Sequence, residues 1–196
     1  MLGLWGRLMG GVAVLASTCA LNTHDAAPFQ SWDRHDSRRW RLPAEHEPVD
    51  RVLLTWETSF ASTFADLLFA IGSEAKVTVL IDPRWDRGGD RKVLDEVLHL
   101  ARWAGVSVDA EAIEVETDSI WIRDYGPLLV QSGLDRQVVS FDYWGGAADD
   151  SVAPLLATEH LGLSWAELPW EVEGGNLLVD GAGTCAVSTT VLDDNP

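Results

Sequence analysis

Between Arg51 and Gly105, short apolar runs alternate with stretches of helical periodicity, and this alternation limits the fold more than any other feature of the chain. Arg51 to Trp56 and Lys76 to Ile81 read as strands, the second β-branched and apolar enough to be buried. From Ser59 to Ile71, Phe60, Phe64, Leu67, Leu68 and Ile71 recur at helical spacing, and Gly72 follows as a stop. Asp90 is placed to cap a second helix with Val93, Leu94, Val97, Leu98, Ala101 and Ala104 on its inner face, ended by Gly105. Glu111 to Glu116 reads as another strand. Two hairpins are expected further on. One joins Leu128–Gln131 to Gln137–Phe141 around Ser132-Gly133, and the other joins Asn176–Val179 to Thr184–Ser188 across Asp180-Gly181-Ala182-Gly183. A short helix is expected around Ser151 to Leu161, where Pro154 restricts the start. Strands alternating with helices, with hairpins mixed in, predict an α/β or α+β fold rather than an all-parallel sheet.

The chain has 196 residues, 46% of them hydrophobic, which is enough for one domain with a real core. Its net charge of -17 leaves little to neutralise phosphates and excludes nucleic acid as a partner, while an acidic surface favours cationic ligands or simply solubility. The ten tryptophans are scattered without stripe or repeat and read mostly as core or rim residues. At the N-terminus, Arg7 precedes the apolar run Leu8 to Ala20, too short for a comfortable transmembrane helix. Residues 1–20 are expected to form an export signal, with a buried helix as the alternative, and 21–41 a polar linker into a domain spanning 42–196. Leu15-Ala16-Ser17-Thr18-Cys19 resembles a lipoprotein cleavage box, and ordinary cleavage near Ala20 is equally compatible. The expected location is therefore periplasmic, secreted or lipid-anchored, with membrane contact only through this segment. Cys19 belongs to the expected signal, which leaves Cys185 alone in the mature domain as a small buried hydrophobe with no intramolecular disulfide.

Chemistry concentrates in two segments. In Trp121-Ile122-Arg123-Asp124-Tyr125-Gly126-Pro127 a strand is expected to end in a sharp turn, with Gly126-Pro127 stopping regular pairing and presenting Asp124 to a cleft. A carboxylate there can accept two parallel N–H bonds from a planar guanidinium. Strand alternation sets Arg123 on the other face as an ion-pair partner, and Trp121 is placed on the Asp124 face as an apolar wall. A salt-bridged turn without catalytic role is the alternative. In Glu173-Gly174-Gly175-Asn176 the glycines allow close backbone approach beside a second carboxylate.

Thr117 to Pro127, Glu173 to Asn176 with its continuation to Thr184, and the opening Pro43-Ala44-Glu45-His46-Glu47-Pro48 together resemble the peptidylarginine deiminase and agmatine deiminase family, which hydrolyses guanidinium groups. The resemblance runs from Leu42 to Pro196. It implies the pentein fold, an α/β propeller of ββαβ units, of which this chain would form a part. It implies that Asp124 grips the guanidinium and that Glu173 orients the catalytic histidine. It implies a cysteine nucleophile, an amidino-thioether intermediate, and no metal or other cofactor, with a small guanidine or an arginyl peptide as substrate. Agmatine deiminases usually carry Trp where His46 stands and Thr where Tyr125 stands; Tyr125 resembles the bacterial peptidylarginine type. The family's His-x-Asp segment and its late cysteine do not occur here, since none of His24, His35, His46, His99 and His160 stands in such a pair. The expectation is the N-terminal part of an exported deiminase, inactive by itself. An exported non-catalytic binding module and an amidinotransferase of the same superfamily are the other readings. No oligomeric state follows from the sequence.

Overall fold

The structure, a computed structural model, describes residues 12–15, 39–85 and 89–195. The chain divides into two compact units, one of residues 1–47 with 123–196 and one of residues 48–122.

The unit Pro48–Ile122 is built on the alternation read from the sequence. Strands β2 (Arg51–Thr55), β3 (Lys76–Ile81) and β4 (Ala110–Glu114) form a parallel sheet in the order β2-β3-β4. Helices α1 (Ala61–Ile71) and α2 (Asp90–Trp103) supply the crossovers that parallel neighbours require. Strand β3 is central and lies between two partners, so its apolar run is buried: Val77, Val79 and Leu80 are fully enclosed. Phe64 and Leu68 of α1 and Leu94 of α2 close over it, with Trp56 stacked on Phe64 at 5.0 Å. A 3-10 turn, Thr58–Phe60, precedes α1. Asp90 lies inside the first turn of α2 and not at its cap, which is Gly89; there it favours the helix through its charge at the positive end of the dipole.

Two ion clusters lie at the ends of this sheet. At one, Glu111 takes Arg51 at 2.5 Å and Lys76 at 2.6 Å and accepts the Thr78 hydroxyl at 2.9 Å. At the other, buried Asp82 accepts the amides of Arg84 at 2.7 Å and Thr117 at 2.9 Å, while Arg84 Nη2 donates to the Thr117 carbonyl at 2.6 Å. Both backbone polar groups of Thr117 are thereby held at the start of the Thr117–Pro127 segment. Burial pushes the Asp82 carboxyl up, but the Arg84 guanidinium and the two amides outweigh it and its pKa is lowered. The Glu111 carboxyl falls to about 2, chiefly through its bond to Lys76, against desolvation and with help from Arg51 and Thr78. A folded-state pKa below the unfolded value stabilises the fold above the unfolded pKa, and that contribution is lost as pH falls toward the folded one. Denaturant midpoints should therefore stay level above about pH 4.5 and fall between about pH 4.5 and 2. Glu111→Gln should lower the midpoint at neutral pH and reduce that acid-side fall.

The other unit contains two three-stranded sheets. In the first, β5 (Leu128–Ser132) and β6 (Asp135–Asp142) form the expected hairpin, turning at Gly133 with φ +62. Strand β7 (Ser164–Glu171) then adds parallel to β6, in the order β5-β6-β7. The crossover is α4 (Ala147–Leu155) continued by a π-helical stretch, Leu156–Leu161, and closed by Gly162 at φ +63. This segment has the ββαβ order. Val138 packs with Ala153 and Ala157 on one face of the sheet, and Val139 with Val130 and Leu168 in a second cluster. The sequence reading assigned no strand at β7 and began its helix four residues late. Pro169 weakens the strand signal, but a register shift between Phe141 and Asp142 accommodates it next to paired Leu168. Pro154 lies inside α4 and not at its start.

The second sheet has the order β1-β9-β8, with β1 (Val12–Leu15) antiparallel to β9 (Cys185–Ser188) and β9 antiparallel to β8 (Leu177–Val179) across the predicted turn. A final helix, α5 (Thr189–Asp194), follows. Apart from the backbone of β1 and residues 39–41, the expected signal and linker fall outside the described residues. The fold is mixed α/β, as the sequence predicted. No described helix is long and apolar enough to cross a membrane.

Candidate active site

The first motif is built differently from the sequence expectation. Ile122 to Tyr125 form a single helical turn, α3, and no strand ends there. The alternation argument for Arg123 and Trp121 therefore does not apply, and Trp121 and Asp124 stand three positions apart, a spacing that would put them on opposite faces of a strand in any case. Pro127 ends the turn and β5 begins directly after it. Trp121 is 61% exposed and belongs to the unit of residues 48–122, whereas Asp124 and Glu173 belong to the other. Arg123 is an ion-pair partner, as expected: it meets Glu45 of the opening segment, with both side chains largely exposed.

Asp124 and the Glu-Gly-Gly-Asn motif are brought together. Gly174 to Asn176 form a 3-10 turn closed by the Asn176 amide donating to the Glu173 carbonyl at 2.8 Å. This turn lies directly against α3. The Gly175 amide donates to Asp124 Oδ1 at 3.0 Å. A methyl on Gly174 would collide with the Arg123 carbonyl oxygen, and one on Gly175 with the Asp124 carboxylate. The two glycines are thus dictated by how closely the second motif approaches the first. Asp124 is held in one orientation and keeps Oδ2 and further lone pairs for a ligand.

Glu173 is half-buried, and both carboxylate oxygens are engaged. Trp144 Nε1 donates to Oε1 at 2.8 Å and Asn176 Nδ2 donates to Oε2 at 2.8 Å. Glu173 borders a cavity of about 340 Å³ together with Trp144, Asn176 and Val191, and with the carboxylates of Glu171 and Asp194. Among the described residues the cavity wall carries Glu173 but not Asp124. Trp144, which bonds Glu173 and lines this cavity, was not singled out by the sequence reading; it stood among ten scattered tryptophans, and the Gly-Gly after it was the available signal.

The opening segment is anchored to the same unit. Glu47 takes the Arg41 guanidinium in a fork at 2.5 and 2.8 Å and caps the Ala44 amide at 2.8 Å. Those bonds, led by Arg41, lower the Glu47 carboxyl to about 2. Gly181, at φ +70 in the β8–β9 turn, packs where any side chain would strike Glu47. Cys185 is disulfide-bonded and half-buried in β9, so it is not a solitary thiol. No group of His, Cys, Asp and Glu among the described residues is arranged to hold a metal.

Comparison with known proteins identifies the family. The profile of the Porphyromonas-type peptidyl-arginine deiminase family matches residues 41–196. A candidate agmatine deiminase of Marinomonas sp. is 28% identical over 74% of this chain and 42% of its own length. One of Pectobacterium atrosepticum is 27% identical over 85% of this chain and 47% of its own. The chain spans about half the length of the curated relatives it matches. Among solved structures, C. jejuni agmatine deiminase with substrate bound superposes with a TM-score of 0.61 at 14% identity, covering 81% of this chain and 46% of that one. That likeness is one of fold. With the family profile running from residue 41 to residue 196, this chain belongs to the Porphyromonas-type peptidyl-arginine deiminase family.

Proposed function

We propose that this chain carries the guanidinium-binding part of a deiminase that hydrolyses a terminal guanidinium group to a ureido group and ammonia. One observation carries the reading: the Gly175 amide fixes the Asp124 carboxylate at the junction of the two family motifs. A carboxylate held by a backbone donor is pre-oriented, so it can meet the two parallel N–H groups of a guanidinium with little reorganisation. The net charge of -17 favours approach of such a cation. In the reaction, one C–N bond of the guanidinium breaks, its nitrogen leaves as ammonia, and the oxygen of water becomes the ureido carbonyl. Asp124 holds the guanidinium and Glu173 orients the group that moves protons. By resemblance alone, Trp121 supplies an aromatic wall. Small guanidines such as agmatine and arginyl peptides both fit this chemistry.

The test is an assay of ammonia and ureido product formed by the full-length protein from agmatine, free arginine and arginyl peptides. Equal yields of both products from at least one of them is expected. Ligand binding without product would identify a binding module. Guanidinium loss without ammonia, dependent on an added amine, would identify a transferase.

A further inference from the structure

We propose that Trp144 is a positioning residue for the Glu173 carboxylate and that the Tyr143–Gly146 turn exists to place it. This rests on the deiminase reading above. The indole is 69% exposed, an unusual position for so large an apolar surface, yet its one polar atom is bonded to Glu173 Oε1 at 2.8 Å. Asn176 secures the other oxygen at 2.8 Å. With one N–H on each oxygen, the carboxylate can neither rotate about its last bond nor swing away without losing a donor.

The turn that carries Trp144 is specialised. A side chain on Gly145 would run into the Tyr143 ring, so only glycine lets the chain fold back over that ring. Gly146 has φ +150, a conformation that side chains rarely adopt. The Tyr143 amide is taken by Asp150 of α4 at 2.8 Å. The Tyr143 ring is buried between Trp144 at 5.9 Å and Tyr125 of α3 at 5.8 Å, which ties the indole to the residue next to Asp124. A tryptophan serving only as surface would need none of these restraints. The indole therefore couples the Asp124 turn to the Glu173 carboxylate through a rigid aromatic run.

The experiment uses Trp144→Phe in the full-length protein, which keeps a ring against Tyr143 and removes the N–H. Because the residue is exposed, the melting temperature should stay within about 2 °C of native. With agmatine or an arginyl peptide, kcat should fall on the order of tenfold with KM changed less than about twofold, the range seen when a group supporting a first-contact residue is lost. In a Glu173→Gln background the further loss should be under about twofold, since the two act as one unit. Independently, the indole N–H resonance that Trp144→Phe removes should move upfield in Glu173→Ala. An equal loss in both backgrounds, an effect on KM alone, or an unmoved indole resonance overturns the proposal while leaving the deiminase reading intact. A native protein that turns over no guanidine overturns both, whatever the resonance does.

Discussion

Asp124→Asn in the full-length protein is expected to lower kcat/KM for its guanidine substrate by at least about a hundredfold. Breaking a desolvated carboxylate's grip on a cation costs on the order of 3–5 kcal/mol, and each 1.4 kcal/mol is about a decade. The geometry sharpens the argument. Asp124 Oδ1 already serves the Gly175 amide, so an asparagine must aim its oxygen there. Its NH2 then faces the guanidinium, donor against donor. Turning the amide over relieves the ligand but sets NH2 against the Gly175 N–H, so neither orientation satisfies both neighbours. Steady-state kinetics with the variant checks this; near-normal efficiency would remove Asp124 from the site.

Gly174→Ala should give the largest loss of stability. The added methyl would meet the Arg123 carbonyl oxygen, a backbone atom that cannot rotate aside, with the Asp124 carbonyl oxygen also within 3.4 Å. The turn must separate from α3, at a cost of about 2–3 kcal/mol by the usual scale for overpacking. At 2–4 °C per kcal/mol for a chain of this size, the melting point should drop by roughly 4–12 °C. Gly175→Ala provides the contrast. Its methyl meets the tip of the Asp124 side chain, which can swing away, so the fold should hold while guanidinium binding fails much as in Asp124→Asn. Thermal melts and kinetics on the two variants separate the cases. Similar melting points for both would mean that Gly174 does not pack against the Arg123 backbone.

The elements that were legible in the sequence are those whose signals are local. Strand β3 announced itself because a central parallel strand is buried on both faces and reads as one apolar run. Helices α1 and α2 showed their inner faces through spacing alone, and the β5–β6 and β8–β9 hairpins through the glycines at their turns. Strand β7 stayed hidden because Pro169 argues against a strand unless it falls in a bulge, and only the pairing with β6 shows that Pro169 and Trp170 are the extra residues between paired Leu168 and Glu171. Helical turn α3 was read as extended because Gly126-Pro127 is an equally good stop for a strand or a helix.

By itself the sequence determined the mixed α/β class, the two motifs with their carboxylates Asp124 and Glu173, and the likeness to guanidine-modifying enzymes, all carried by residue type and short-range order. Only the tertiary structure decided that the Glu-Gly-Gly-Asn turn lies on the Asp124 turn, that its glycines are required by that contact, and that Trp144 holds Glu173. The physical reason is separation along the chain. A hydrogen bond between Gly175 and Asp124 leaves no periodic trace in the sequence, because its two ends are joined by folding and not by spacing.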